Sequence, residues 1–175
     1  MVADGRRFLQ RTDQRWDVIF IAAFIGGSPT WQLYTDEAFA LYHAYLKPNG
    51  VVVLNLIGSH LEPAQRPALE AVAGTAHAVF SIVDVYPDPW ELDDYPTRNL
   101  FIAASEQPRV MPRRAGDPRA TRRLSEALAR CLPIAVDSGR RLTDDSAPLE
   151  PLVRRTTEIL RSRTREYLPF DVLFD

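Results

Sequence analysis

Trp16-Asp17-Val18-Ile19-Phe20-Ile21-Ala22-Ala23 and, further on, Val51-Val52-Val53-Leu54-Asn55-Leu56-Ile57 are the two stretches whose reading decides the fold. Both are short, β-branched and apolar without alternation. That is the pattern of strands buried on both faces, as in a parallel sheet covered by helices. Between them, Gly26-Gly27-Ser28-Pro29 breaks the first run. Thr35 then caps a helix predicted from Asp36 to about Lys47, with Ala38, Leu41, Tyr42 and Tyr45 on its packed side. Pro48-Asn49-Gly50 stops that helix and turns the chain.

Working outward, Asp4 is placed to N-cap a helical stretch from Arg6 to Arg11, whose apolar side is Phe8 and Leu9. Downstream, a helix is expected from about Pro63 to Ala73, ended by Gly74. Ala78 to Tyr86 and Asn99 to Ala104 read as strands, joined by the proline- and acid-rich loop Pro87 to Arg98. Alternating strands and helices imply an α/β fold with a mostly parallel sheet. The last two strands, with no helix between them, predict an antiparallel hairpin at one sheet edge.

After Ser105 the composition changes, which divides the chain into an α/β part (1–105), a linker (106–118) and a helical C-terminal extension (119–175). In the extension, Leu124, Leu128 and Leu132 recur every four residues and predict a helix from Arg119 to Leu132. Leu142 to Leu149 reads as a turn. A last helix is expected from about Glu150 to Arg163, carrying Leu152, Ile159 and Leu160.

Composition excludes whole classes. With 46% apolar and 25% charged residues over 175 positions, the chain is neither disordered nor a rod. Its longest apolar run, Val18 to Ile25, is far short of the roughly 20 residues a spanning helix needs. No membrane span and no signal peptide are expected. The single cysteine, Cys131, cannot form an internal disulfide, agrees with a cytoplasmic setting, and is expected to pack among Leu128 and Leu132. A net charge of −2 gives no general attraction to nucleic acid. The arginine-rich stretch Arg109 to Arg123 has no aromatic residue to stack on a base, so no nucleic-acid partner is expected.

Six motifs, in their order and spacing, resemble the spermidine synthase family, polyamine aminopropyltransferases on a Rossmann-like methyltransferase fold. They are Asp4-Gly5-Arg6-Arg7-Phe8-Leu9 followed by Trp16-Asp17-Val18-Ile19; Ala23-Phe24-Ile25-Gly26-Gly27-Ser28-Pro29; Leu33-Tyr34-Thr35-Asp36-Glu37; Leu46-Lys47-Pro48-Asn49-Gly50-Val51; Val53-Leu54-Asn55; and Leu142-Thr143-Asp144-Asp145. The resemblance covers about residues 2–105 well, the C-terminal region more loosely, and points to the divergent bacterial spermidine-synthase-like branch.

The resemblance implies a chemistry: transfer of an aminopropyl group from decarboxylated S-adenosylmethionine to putrescine. It implies that Asp4 meets the adenine amino group beside Gly5, and that Tyr95 borders the amine pocket. It also implies an acidic base at the end of the family's fourth strand. Here that position is Ala22, and Gly27 stands where a second aspartate is common. A methyl group neither accepts a proton nor attracts an ammonium. The family's first strands and glycine-rich nucleoside loop have no counterpart in the chain, which reads as N-terminally truncated relative to the family.

The expectation is therefore a spermidine-synthase-like protein inactive as written, with no tightly bound cofactor; decarboxylated S-adenosylmethionine or S-adenosylmethionine is the family co-substrate. Two alternatives stay open. One is an active methyltransferase or aminopropyltransferase completed by a missing N-terminal segment. The other is a non-catalytic interaction module. If strands are missing, Trp16–Ala23 becomes an edge that pairs with another copy or with a complementary N-terminal polypeptide.

Other residues carry less. His43, His60 and His77 are expected on a helix, a loop and a strand start, without metal-ligand spacing. Asp144-Asp145 reads as a helix cap, with Thr143 or Asp144 in that role, before it reads as a cation site. Asp88, Glu91, Asp93 and Asp94 make the loop before Tyr95 acidic, as a solvated hairpin loop would be. Ser28 has no histidine partner in a nucleophile motif.

Overall fold

A computed structural model describes residues 4–25, 28–88, 97–108, 117–134 and 140–167. Its elements in chain order are α1 (Gly5–Leu9), β1 (Trp16–Ile21), β2 (Phe24–Ile25), β3 (Ser28–Pro29), a 3₁₀ turn (Trp31–Leu33), α2 (Asp36–Tyr45), β4 (Leu46–Gly58), α3 (Arg66–His77), β5 (Ile82–Pro87), β6 (Arg98–Ser105), α4 (Pro118–Leu128) and α5 (Leu149–Tyr167).

Strands β1, β4, β6 and β5 form one sheet, in that order across it. β1 is parallel to β4, whereas β6 is antiparallel to both β4 and β5. The sheet is thus mixed, and the expected "mostly parallel" description needs correcting: β6 reverses direction and inserts between β4 and β5. The β5–β6 hairpin does lie at one edge. At the other edge lies β1, with its outer side unpaired among the described residues.

Register explains the core. Leu54 faces Ile102, Leu56 faces Leu100 and Val52 faces Ala104, all with 0–1% exposure. Val85 continues the Leu54–Ile102 row on β5. On β1, Ile19 and Ile21 pair with Val52 and Leu54 and pack against this core. α2 supplies Ala38, Phe39 and Tyr42, and α3 supplies Ala68, Leu69, Ala71, Val72 and Ala76. The C-terminal residues Leu142, Leu149 and Val153 sit in the same cluster.

Both N-terminal caps form as expected. The Asp4 carboxylate accepts from Arg7 N–H at 2.9 Å, and the Thr35 hydroxyl from Ala38 N–H at 3.2 Å.

Several boundaries move. α2 ends at Tyr45, not Lys47, because the chain is already extended at Leu46, which pairs with Trp16. The strand thus includes Pro48-Asn49-Gly50 as a bulge: Trp16 faces Leu46 but Val18 faces Val51. Gly50 is required there, since a Cβ would lie 2.9 Å from Trp16 O and 3.0 Å from Lys47 O. α3 starts later, at Arg66, and runs through Gly74 to His77. Burial of Thr75 and Ala76 outweighs the roughly 1 kcal/mol by which glycine disfavours a helix interior. The predicted strand at Ala78 starts only at Ile82, because residues 78–80 form a turn that plugs Phe80 into the core.

In the C-terminal part, α4 ends at Leu128. Leu132 instead forms a bridge to Val85, its N–H donating to Val85 O at 2.8 Å. Cys131 is therefore exposed, not packed; its Sγ lies 3.9 Å from Asp84 Oδ1. The final helix is longer than expected, Leu149–Tyr167.

The largest correction concerns β1. The expected strand with both faces buried is instead one-sided: Val18 and Phe20 are 54% and 57% exposed. On that face Trp16, at the start of the strand, lies against Phe8 of α1 at 6.0 Å and Tyr45 of α2 at 6.4 Å, whereas Val18 and Phe20 are left exposed.

Candidate functional site

The outer edge of β1, together with α1 and the 3₁₀ turn, encloses a cleft of about 620 Å³. Asp4, Gly5, Arg6, Phe8 and Leu9 of α1 form one wall. Trp16 and Val18 to Ala23 form the floor, and Thr30, Gln32, Leu33 and Tyr42 close the far side. The volume lies within the range usual for small-ligand sites, roughly 300–1,000 Å³.

The structure brings Asp4 and Gly5 of the first motif into one cleft with Ala22, the position where the resemblance implies an acidic base. They are far enough apart in sequence that only the packing of α1 beside β1 joins them. One Asp4 oxygen serves the helix cap, and the other has no protein donor among the described residues. Nothing in the fold requires glycine at position 5: a Cβ built there meets no heavy atom within 4 Å. The space beside Gly5 is therefore open for a ligand.

Two of the other polar side chains in the lining, Arg6 and Tyr42, are engaged with protein partners. Arg6 donates to Asp144 Oδ1 at 2.8 Å, to Asp144 Oδ2 at 2.7 Å and to Gln32 O at 3.1 Å. Tyr42 donates its hydroxyl to Leu33 O at 3.1 Å, and burial pushes its pKa well above the ordinary phenol value. It stays protonated at neutral pH and cannot act as a base. Asp4 is the only carboxylate lining the cleft among the described residues. Ala22 is exposed at the end of β1 and brings no ionisable group.

Other candidates fall elsewhere. Tyr95, Glu91, Asp93 and Asp94, as well as Gly26 and Gly27, lie outside the described residues. Thr143 and Asp144 do not cap a helix, since α5 begins only at Leu149; instead Asp144 receives Arg6. His77 ends α3 rather than starting a strand. His43 lies 3.4 Å from Glu106. Burial, with the Arg98 and Arg66 cations nearby, holds His60 below its usual range, so it is neutral at pH 7. No group of three or more potential metal ligands occurs among the described residues. No helix among them is long and apolar enough to cross a membrane.

Sequence reasoning missed the aromatic lining, Phe8 tilted against Trp16 with ring centroids 6.0 Å apart, and the Arg6–Asp144 pair. Leu142-Thr143-Asp144-Asp145 was visible as a motif, but its partner lies 138 positions away. No local pattern connects the two.

No protein-family model matches the chain. Polyamine aminopropyltransferase 2 of Pseudomonas aeruginosa is 36% identical over 89 residues, which are 49% of this chain and 25% of that protein. A probable spermidine synthase from Corynebacterium glutamicum superposes with a TM-score of 0.61 at 19% identity, covering 82% of this chain and 53% of that one. A spermidine synthase in complex with the transition-state analogue AdoDATO gives a TM-score of 0.53 at 16% identity, covering 91% and 50%. The chain thus spans about half the length of these structures and about a quarter of the curated relative. By sequence over 89 residues, and by α/β fold over most of its length, it is a partial-length match to the spermidine synthase/polyamine aminopropyltransferase family.

Proposed function

We propose that this chain supplies one wall of an adenosyl-ligand cleft of the spermidine-synthase type and does not itself transfer an aminopropyl group. One observation carries the reading: Asp4, Gly5 and Ala22 line the same cleft. The free Asp4 oxygen is an acceptor for an exocyclic amino group, and the open space beside Gly5 lets a flat ring approach. The apolar floor of β1 suits a nucleoside's face.

Among the described lining residues, none is placed at the strand end to perform the second half of the chemistry. Transfer to an amine needs a group that removes a proton from the attacking nitrogen and holds a cation beside the sulfonium. Ala22 does neither. Decarboxylated S-adenosylmethionine with putrescine should give no turnover by the purified chain above a heat-killed control. Clear turnover would overturn the proposal. Ala22→Asp should not restore activity, because a carboxylate at the strand end supplies the base but no further hold on the nucleoside.

A second reading, an interaction module, is favoured by the β1 edge. Val18 and Phe20 are exposed on a strand without proline and without lysine, and Lys47 neutralises its one acid, Asp17, at 2.7 Å. Such an edge invites a further strand. On this reading Trp16–Ala23 pairs with a second copy or with a separate polypeptide that completes the sheet. Concentration-dependent light scattering is the expected behaviour; a monomer at all concentrations would defeat it.

A further inference from the structure

We propose that Asp144 is a positioning residue for the cleft: through Arg6 it holds the α1 wall in place. The proposal needs only the geometry of the cleft, so it stands whether or not a nucleoside is the ligand.

α1 is five residues long, too short to be stable by its own hydrogen bonds, and Leu9 is its single buried residue. What fixes it is the Arg6 guanidinium, which makes two parallel bonds to Asp144 and a third to Gln32 O. A two-pronged pair of this kind sets orientation as well as distance. Its members are 19% and 40% exposed, so solvent screens it only in part.

Asp144 is in turn fastened to the rigid side of the molecule. Its carboxylate accepts from the Thr35 hydroxyl at 2.7 Å, and its N–H donates to Glu37 at 2.9 Å. Two residues earlier, Leu142 is fully buried. Its N–H donates to Thr75 Oγ1 at 3.0 Å, and its carbonyl accepts from Asp36 N–H at 2.8 Å. The segment is therefore a strap anchored on α2 and α3, and Arg6 is the hook by which it carries α1. Breaking the hook should release the wall and leave the core standing.

The test uses NMR on the full chain. Contact between the Phe8 and Trp16 rings, 6.0 Å apart, reports the wall; contact between Phe39 and Phe80, 6.4 Å apart, reports the core. At pH 7, Asp144→Asn should abolish the Phe8–Trp16 cross-peak and keep the Phe39–Phe80 one. Arg6→Gln, which leaves Asp144 and its α2 partners intact, should do the same, and Arg6→Lys should keep part of the signal.

The wall should also carry a pH signature. Arg6 holds the Asp144 carboxyl below its ordinary value of 3.8. In the wild type the wall should therefore detach only as pH falls below that value. Asp4, Asp36, Glu37, Arg141 and Tyr42 also face this region, so the step is assigned to Asp144 by its absence from Asp144→Asn. Retention of the Phe8–Trp16 contact in both Asp144→Asn and Arg6→Gln would overturn the proposal. So would loss of both ring contacts together, which would mark a residue that merely holds up the fold.

Discussion

β1 and β4 are chemically alike, both rich in valine, isoleucine and phenylalanine or leucine, yet the fold treats them oppositely. β4 has a strand on each side, and Val52, Leu54 and Leu56 are buried. Among the described residues β1 has a strand on one side only, and it alternates: Ile19 and Ile21 turn to the core while Val18 and Phe20 face outward. Apolar content licenses burial but does not produce it; a neighbour on each flank and face does. The side of β1 left unpaired among the described residues is also where the cleft lies, so the edge that leaves the strand exposed makes room for a ligand.

The comparison can be broken most forcefully in the core. Leu54→Ala should cost about 2–5 kcal/mol, because the site leaves a cavity between β1 and β6. Phe20→Ala on β1 should cost less than about 1 kcal/mol, as surface substitutions do. Denaturant titration of both variants checks this, and equal losses would show that the two strands are buried alike.

Next in size is the join between the strands. Gly50→Ala should cost about 1–3 kcal/mol, because its methyl would meet backbone oxygens of Trp16 and Lys47 that cannot swing aside. The same titration measures it, and a neutral result would mean that the bulge relaxes freely.

The edge itself is tested by Phe20→Lys. A charge on the outward face should weaken self-association about tenfold or more, equivalent to about 1.4 kcal/mol. Light scattering over a concentration series should lose its upward trend. If the trend persists, association runs through another surface.

The smallest effect belongs to the cleft. A single charge-assisted hydrogen bond from Asp4 contributes at most about 1.5–3 kcal/mol, whereas micromolar binding requires about 8 kcal/mol. Methylthioadenosine should therefore bind more weakly than micromolar by calorimetry. Asp4→Asn should reduce whatever binding NMR titration detects by about two- to tenfold. Asparagine caps a helix about as well as aspartate, so α1 itself should persist. Micromolar binding that vanishes in Asp4→Asn would show a far more complete site.

Much of this was legible from residues close together in the chain. Asp4 and Thr35 announced their helices because capping is a bond between neighbours, and both caps form. The β5–β6 hairpin followed from two strands without a helix between them. Gly74 misled because a glycine's local cost was set against burial of Thr75 and Ala76, which is a tertiary gain.

The site was legible in its members but not in its assembly. Asp4, Gly5 and Ala22 could be named from motifs; that they share one cleft depends on how α1 lies beside β1. By itself, then, the sequence determined the alternating α/β elements, their caps and the absence of an acid at position 22, because these depend on residue type and near neighbours. Only the tertiary structure decided that β1 is one-sided, that β6 inserts between β4 and β5, and that Asp144 reaches Arg6. Each of these depends on contacts between segments far apart in the chain, and local chemistry carries no record of which distant segment will arrive.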